Sequence, residues 1–291
     1  MPRPFRCEGC DYEDDTRWLG LCPNCSRIYK VARTRLERDD RSKSLAAALT
    51  AKPTEYISTG VPEFDRVLGG GLVLGSSVLL GGPRGSGKSS LLLHTVDSFA
   101  MAERKALYVS GEQNRDDILG MAARLGVYNE NVEVMGNECD VYKITERAED
   151  YKPKLLIVDS IQVMYMEDTK ADVGTAAQVE AVAQWLTSFA KTTKTAVIIV
   201  CHINSEGDFA GGQRLQHLVD TLIFISPFDS EGDPEMEEVP GIENVRELVV
   251  AGKNRYGADN TRAALEMTAQ GLKPVSPKVL RKLGLSRLDL V

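Results

Sequence analysis

The sequence predicts an α/β fold, a core built on a mostly parallel sheet and preceded by a small four-cysteine ribbon. Three observations lead there. Short β-branched and Leu-rich runs at 77–80, 106–110, 155–158, 196–201, 221–225 and 247–251 read as buried strands, and helical patterns separate them, as in alternating β and α units. A glycine-rich turn, Gly82-Pro83-Arg84-Gly85-Ser86-Gly87-Lys88-Ser89, follows the first run and opens a helix. Two CxxC pairs, Cys7 with Cys10 and Cys22 with Cys25, stand at the N-terminal end, where aliphatic residues are scarce.

In chain order, residues 1–30 hold too few apolar side chains to form a core of their own. Four thiolates at this spacing meet as a tetrahedron that suits Zn2+ and leaves no open position for chemistry, so Cys7, Cys10, Cys22 and Cys25 read as a structural zinc ribbon. Residues 31–55 form a polar linker in which Arg33, Arg35, Arg38, Arg41 and Lys43 outnumber Glu37, Asp39 and Asp40. The core follows over 56–275, and 276–291 reads as a C-terminal tail. Within the core, 89–100 carries Leu92, Leu93, Val96 and Phe99 at helical spacing, and 176–190 carries Val179, Val182, Ala183, Leu186 and Ala190 likewise. Cys139 and Cys201 read as ordinary buried thiols.

At 291 residues the chain has room for one full domain and a smaller module. Hydrophobic residues at 43% and charged residues at 26% exclude wholesale disorder and fibrous composition. No apolar run is long enough to span a bilayer, and the N-terminus has no apolar signal core, so the expectation is a cytoplasmic protein without membrane contact. The net charge of −7 is unpromising for a phosphate-tracking protein, but the excess is local. Between 225 and 247 eight acids face one base, and outside that stretch the two signs balance; it reads as an acidic surface loop. HExxH and GxSxG patterns are absent, which leaves little support for a metalloprotease or a serine hydrolase.

The glycine-rich turn matches the pattern GxxxxGK[ST]. Its backbone N–H groups converge on a β-phosphate, Lys88 reaches the β and γ phosphates, and Ser89 ligates Mg2+, so Gly82, Pro83, Arg84, Gly85, Ser86, Gly87, Lys88, Ser89 and Ser90 are the candidate ATP cradle. The run at 155–158 ends in Asp159, a second candidate for Mg2+. Ser160 follows it where many ATPases carry a glutamate, so the water-activating carboxylate must come from elsewhere. The strand before Gly111-Glu112 ends at the same sheet edge, which makes Glu112 the candidate base. His202, after another strand, is a candidate γ-phosphate sensor that would report to the loop 204–216.

These features together resemble the RadA (Sms) family of bacterial DNA repair ATPases, members of the RecA superfamily. The likeness lies in Phe5-Arg6-Cys7 with 18–25, in Ser58-Thr59-Gly60 through 64–71, in 159–165, and above all in Lys253-Asn254-Arg255-Tyr256-Gly257, one residue from the family's KNRFG. It covers roughly residues 5 to 275. The resemblance implies a RecA-like ATPase core and a ring, expected to be a hexamer, that hydrolyses ATP on single-stranded or branched DNA with branch-migration or helicase activity. It also implies that Lys253 and Arg255 touch a neighbouring subunit's nucleotide, and that a recombinase or replicative helicase is contacted through the zinc ribbon. Lys170, Phe209 and Arg214 are the candidate DNA contacts. The family continues into a Lon-protease-like C-terminal domain, so the expectation is a short form, natural or truncated. Ser205 stands where the family has Lys, and Gly212-Gln213 where it has Pro-Arg. The competing function is a nucleotide-switched, ring-forming interaction protein for which DNA is irrelevant.

Overall fold

The computed structural model describes residues 54–101, 104–203, 212–229, 239–283 and 285, together with two short strands near the N-terminus. Cys7, Cys10, Cys22, Cys25, linker residues 31–53 and Phe209 lie outside the described residues. Two compact units divide the chain, Met1–Pro53 and Thr54–Val291. In the first, β1 (Phe5–Arg6) pairs antiparallel with β2 (Glu13–Asp14), with Phe5 opposite Asp14.

The second unit opens with β3 (Tyr56–Ile57), α1 (Pro62–Leu68) and β4 (Leu72–Val73). Pro62 suits the first turn of α1, where a missing N–H costs nothing, and Gly69 closes the helix in the left-handed conformation at φ 88. Then come β5 (Ser77–Gly82), α2 (Lys88–Phe99), β6 (Ala106–Ser110), α3 (Arg115–Leu125), β7 (Val132–Gly136), α4 (Val141–Tyr151) and β8 (Leu155–Asp159). After these run α5 (Ala176–Thr193), β9 (Ala196–His202), α6 (Gly212–Leu218), β10 (Thr221–Pro227), β11 (Val245–Asn254), β12 (Arg262–Thr268), β13 (Gly271–Pro274) and α7 (Pro277–Lys282).

One nine-stranded sheet carries the unit, in the order β13-β12-β11-β10-β5-β9-β8-β6-β7. The six strands from β10 to β7 are parallel; β11, β12 and β13 add an antiparallel extension. Side chains alternate across the pleat, so Val78 and Leu80 pack with α1, α2 and α3 on one face, while Leu79 packs with α4, α5 and α6 on the other. A parallel sheet buried on both faces needs continuous apolar runs, which is why those strands were legible.

Several elements escaped the sequence reading. β7 is an edge strand with all five residues only partly buried, so its run is interrupted by Glu133. The helix α3 buries only Ile118, Ala122 and Leu125 and is set by its cap, the Asn114 side chain accepting from the Asp117 N–H. The acidic stretch is a loop only in part: β10 continues to Pro227, and β11 begins at Val245. The segment read as a tail includes α7, whose Val279 and Leu280 pack with Val239, Ile242, Val245, Ala264 and Val275.

Two of the motifs that carried the family resemblance meet in this unit. A Cβ on Gly257 would stand 2.6 Å from Gly69 Cα, and one on Gly69 would stand 2.7 Å from Gly257 Cα. Tyr56 Oη donates to the Tyr256 carbonyl at 2.7 Å, and Asn254 Nδ2 donates to the Val67 carbonyl at 3.2 Å. Two backbones can approach this closely only without side chains. Gly257→Ala should therefore lower unfolding free energy by about 1–3 kcal/mol, as overpacked sites do, measured by urea denaturation.

Candidate nucleotide site

The parallel register brings the chemistry to one edge. Gly82 at the end of β5 lies opposite His202 at the end of β9, and Ser110 at the end of β6 lies opposite Asp159 at the end of β8. Ligands of open α/β sheets collect outside these carboxyl ends. Here Arg84, Gly85, Gly87, Lys88, Ser89, Ser90, Glu112 and His202 line a cleft of about 410 Å³, a size in the range of small-molecule sites. Met121 and Arg124 from α3 and Met267 from β12 complete its wall. Arg124 Nη1 is steadied by the Ala269 carbonyl at 2.9 Å.

Gly87 caps α2 with φ 97, a conformation that side chains rarely adopt, and a Cβ there would stand 2.7 Å from Met267 Cε. Gly85, at φ 77, has no atom of a described residue other than its chain neighbours within 4 Å of where a Cβ would be, which leaves this side of the turn open. The Lys88 side chain is buried, and its ammonium donates to the carbonyls of Gly82 and Pro83, each at 2.8 Å. Burial pushes its pKa down, against the attraction of Asp159. Among the described residues its hydrogen bonds go to neutral carbonyls, so the buried ammonium suits an anionic ligand. Ser86 Oγ is buried with no partner among the described residues, a further polar atom left for such a ligand.

Ser89 Oγ donates to Asp159 Oδ2 at 2.8 Å, and Tyr108 Oη donates to the same oxygen at 2.7 Å. Tyr108 is fully buried in β6, and burial and the nearby Asp159 charge push its pKa well up, so the phenol stays a donor. Asp159 Oδ1 accepts no hydrogen bond among the described residues. Hydroxyl and carboxylate oxygens suit Mg2+, which takes one or two carboxylates and completes its shell with water and phosphate. Among the described residues no group of three or more His, Cys, Asp or Glu side chains is placed to hold a metal ion.

Glu112 approaches from the turn after β6, where its N–H donates to Ser110 Oγ at 3.2 Å. Its Oε1 accepts from Ser160 Oγ and lies 3.2 Å from His202 Nε2. A carboxylate only accepts, so with Glu112 ionised the imidazole proton sits on Nε2. Gln162 Nε2 donates to the His202 carbonyl at 2.9 Å, tying the segment after β8 to the end of β9.

The remaining candidates lie elsewhere. Lys253 and Arg255 stand at the amino edge of the sheet, since Asn254 pairs with Thr221 and Thr221 with Val78. Lys253 Nζ donates to the carbonyls of Gln216 at 3.1 Å and His217 at 2.8 Å, at the end of α6. Burial and the Arg255 charge lower its pKa. Arg255 Nη1 pairs with buried Asp220 at 2.8 Å, and Asp220 also accepts from the N–H and hydroxyl of Ser77. Lys170 is exposed in the loop before α5. Arg214, on α6, faces Glu180 of α5 at 3.7 Å beside a separate cleft between those helices. Cys201 is buried, whereas Cys139 is only partly so. Sequence reasoning missed Tyr108, Met121, Arg124 and Met267; only Tyr108 left a signal, a phenol within a buried strand that must find a partner.

The fold and this site define an ATP-binding P-loop protein of the α/β class. Residues 46–208 match the family model described as AAA domain, and the chain belongs to that family. It is similar to DNA repair protein RadA of Escherichia coli K12, 35% identical over 94% of this chain and 60% of the relative. RadA of Listeria monocytogenes is 34% identical over 94% of this chain and 59% of the relative. RadA of Mycobacterium tuberculosis H37Rv is 35% identical over 87% and 52%. The motif-based resemblance is thus borne out, and the chain spans about 60% of the length of the Escherichia coli relative. A KaiC-like protein of Pyrococcus horikoshii shares the fold, with a TM-score of 0.61 and 16% identity over 77% of this chain and 100% of that one. No helix among the described residues is long and apolar enough to cross a membrane.

Lys88→Met should weaken ATP binding about ten- to a hundredfold, the range of one charge-assisted contact, as read by titration calorimetry. The unfolded chain binds the Lys88 proton more tightly than the folded one, so wild-type stability gains from this group as pH rises toward the usual lysine range. The nucleotide-free variant should therefore melt higher than wild type at neutral pH, and the gap should narrow as pH rises.

Proposed function

We propose that this chain is an ATP-hydrolysing, DNA-binding motor of DNA repair and recombination. It works as a RadA-like ring, hexameric, with branch-migration or helicase activity on single-stranded or branched DNA. One observation carries the reading: the basic motif and the phosphate turn of one subunit occupy opposite edges of its sheet. The four residue steps from Val78 to Gly82 separate them by roughly 13 Å at strand rise, which puts Lys253 and Arg255 away from their own subunit's phosphate turn. In a ring, a neighbour's copy supplies them in trans.

The assignments follow from the chemistry of each group. Gly82 to Ser90 hold the triphosphate, with Lys88 against its charge; Ser89 and Asp159 hold Mg2+, which supplies charge neutralisation on the phosphates. Glu112 accepts the proton of the attacking water. His202 faces Glu112 from the strand that precedes residues 204–216, which suits a sensor passing the nucleotide state to DNA-facing residues Lys170, Phe209 and Arg214. Zn2+ is held by Cys7, Cys10, Cys22 and Cys25; the β1–β2 hairpin, which brackets the first CxxC pair, supports that ribbon, and the ribbon contacts a recombinase or replicative helicase. Thiolate zinc of this kind belongs in the reducing cytoplasm.

Glu112→Gln should slow hydrolysis about 10²- to 10⁴-fold while sparing nucleotide binding, measured by phosphate release against titration calorimetry. Lys253→Ala should cut DNA-stimulated turnover, by about 10³-fold if the group acts as in-trans charges do elsewhere. Mixing Lys253→Ala with Lys88→Met protein should restore part of the turnover, because some interfaces then pair an intact phosphate turn with an intact basic motif. No recovery on mixing would reject the in-trans assignment. Wild-type ATPase indifferent to single-stranded DNA would instead favour a nucleotide-switched interaction protein. One Zn2+ per chain by elemental analysis, with loss of the ribbon's folded amide signals on chelation, is the expected result for the N-terminal unit.

A further inference from the structure

Tyr108 is an anomaly in its strand. The residues around it in β6 are apolar or small, it is fully buried, and its ring packs in the cluster beneath α2 with Leu91, Leu92 and Ile157. A phenylalanine would fill that volume equally well, so the hydroxyl calls for its own account. It reaches Asp159 Oδ2 at 2.7 Å, the oxygen that also accepts from Ser89 at 2.8 Å. With two donors on Oδ2 and none among the described residues on Oδ1, the carboxylate cannot rotate its oxygens without losing both bonds. Its unpaired oxygen is thereby held to one side.

We infer that Tyr108 is the positioning residue of the divalent-cation site: its buried hydroxyl saturates Asp159 Oδ2, holding Oδ1 ready for Mg2+ brought in with the nucleotide. This rests on the phosphate-site reading above and adds to it a group that touches neither metal nor nucleotide. Ser89 shares the task, since its hydroxyl can offer a lone pair to Mg2+ and still donate its proton to Asp159 Oδ2. Tyr108 is the one of these two donors that belongs to the sheet rather than to the phosphate turn, so it fixes the carboxylate independently of the turn. Outer-shell partners of this kind are typically worth about 10- to 100-fold in metal affinity.

The test uses the full chain, Tyr108→Phe and a fluorescent ADP analogue. Binding is measured first in excess chelator, where the phosphate turn acts alone, and then as Mg2+ is titrated in. The expected result is unchanged affinity in chelator with the Mg2+ midpoint raised about tenfold or more. Superimposable Mg2+ titrations would overturn the inference. Equal losses with and without Mg2+ would also overturn it, since they would mark Tyr108 as packing for the whole site rather than for the cation. If wild-type protein takes up no nucleotide in Mg2+, the phosphate-site reading itself falls and the inference with it, an outcome separable from the other two.

Discussion

Parallel strand pairing puts the ends of β5, β9, β8 and β6 side by side, and everything at the carboxyl edge depends on that register. Gly82 meets His202, and Ser110 meets Asp159, because the backbone ladders allow no other alignment of their apolar faces. A slip of one residue would turn Leu79 toward the face of Val78 and send Asp159 into the core. The hydrophobic layers on both faces therefore also set the spacing of the polar groups. Lys88 and Asp159 come from segments far apart in sequence and can face each other because β5 and β8 flank the same strand, β9.

The two edges of the sheet treat charge differently. At the carboxyl edge the buried ammonium of Lys88 rests on neutral carbonyls, and the Ser86 hydroxyl has no partner among the described residues. Groups left in that condition cost free energy in the empty protein and regain it when an anion arrives. At the amino edge Asp220 is buried but fully engaged, by Ser77 and by Arg255. Lys253 and Arg255 are thus ordered by hydrogen bonds and an ion pair to α6 and Asp220.

The carboxylates at the site are divided by their donors. Asp159 accepts from Tyr108 and Ser89; Glu112 accepts from Ser160 and meets His202, both at adjoining strand ends. That Ser160 takes the position where many ATPases carry a glutamate leaves a hydroxyl able to orient Glu112, so the two departures from the commoner arrangement compensate each other.

Local chemistry was enough to read the α/β class, the phosphate turn, Asp159 and Glu112 from the chain alone. Those features depend on short-range constraints: a helix that must start after a glycine turn, apolar runs that must be buried on both faces, and polar residues that must emerge where the runs end. Less periodic elements were not legible: the edge strand β7, the capped helix α3 and the antiparallel β12 and β13. Their burial is partial, and their apolar residues are few. Only the tertiary structure decided that Gly69 and Gly257 touch, that Tyr108 belongs to Asp159, that Met121, Arg124 and Met267 wall the cleft, and that Lys253 and Arg255 stand at the far edge from Lys88. Each of these depends on strand order, a property of pairings between distant segments that no local pattern encodes.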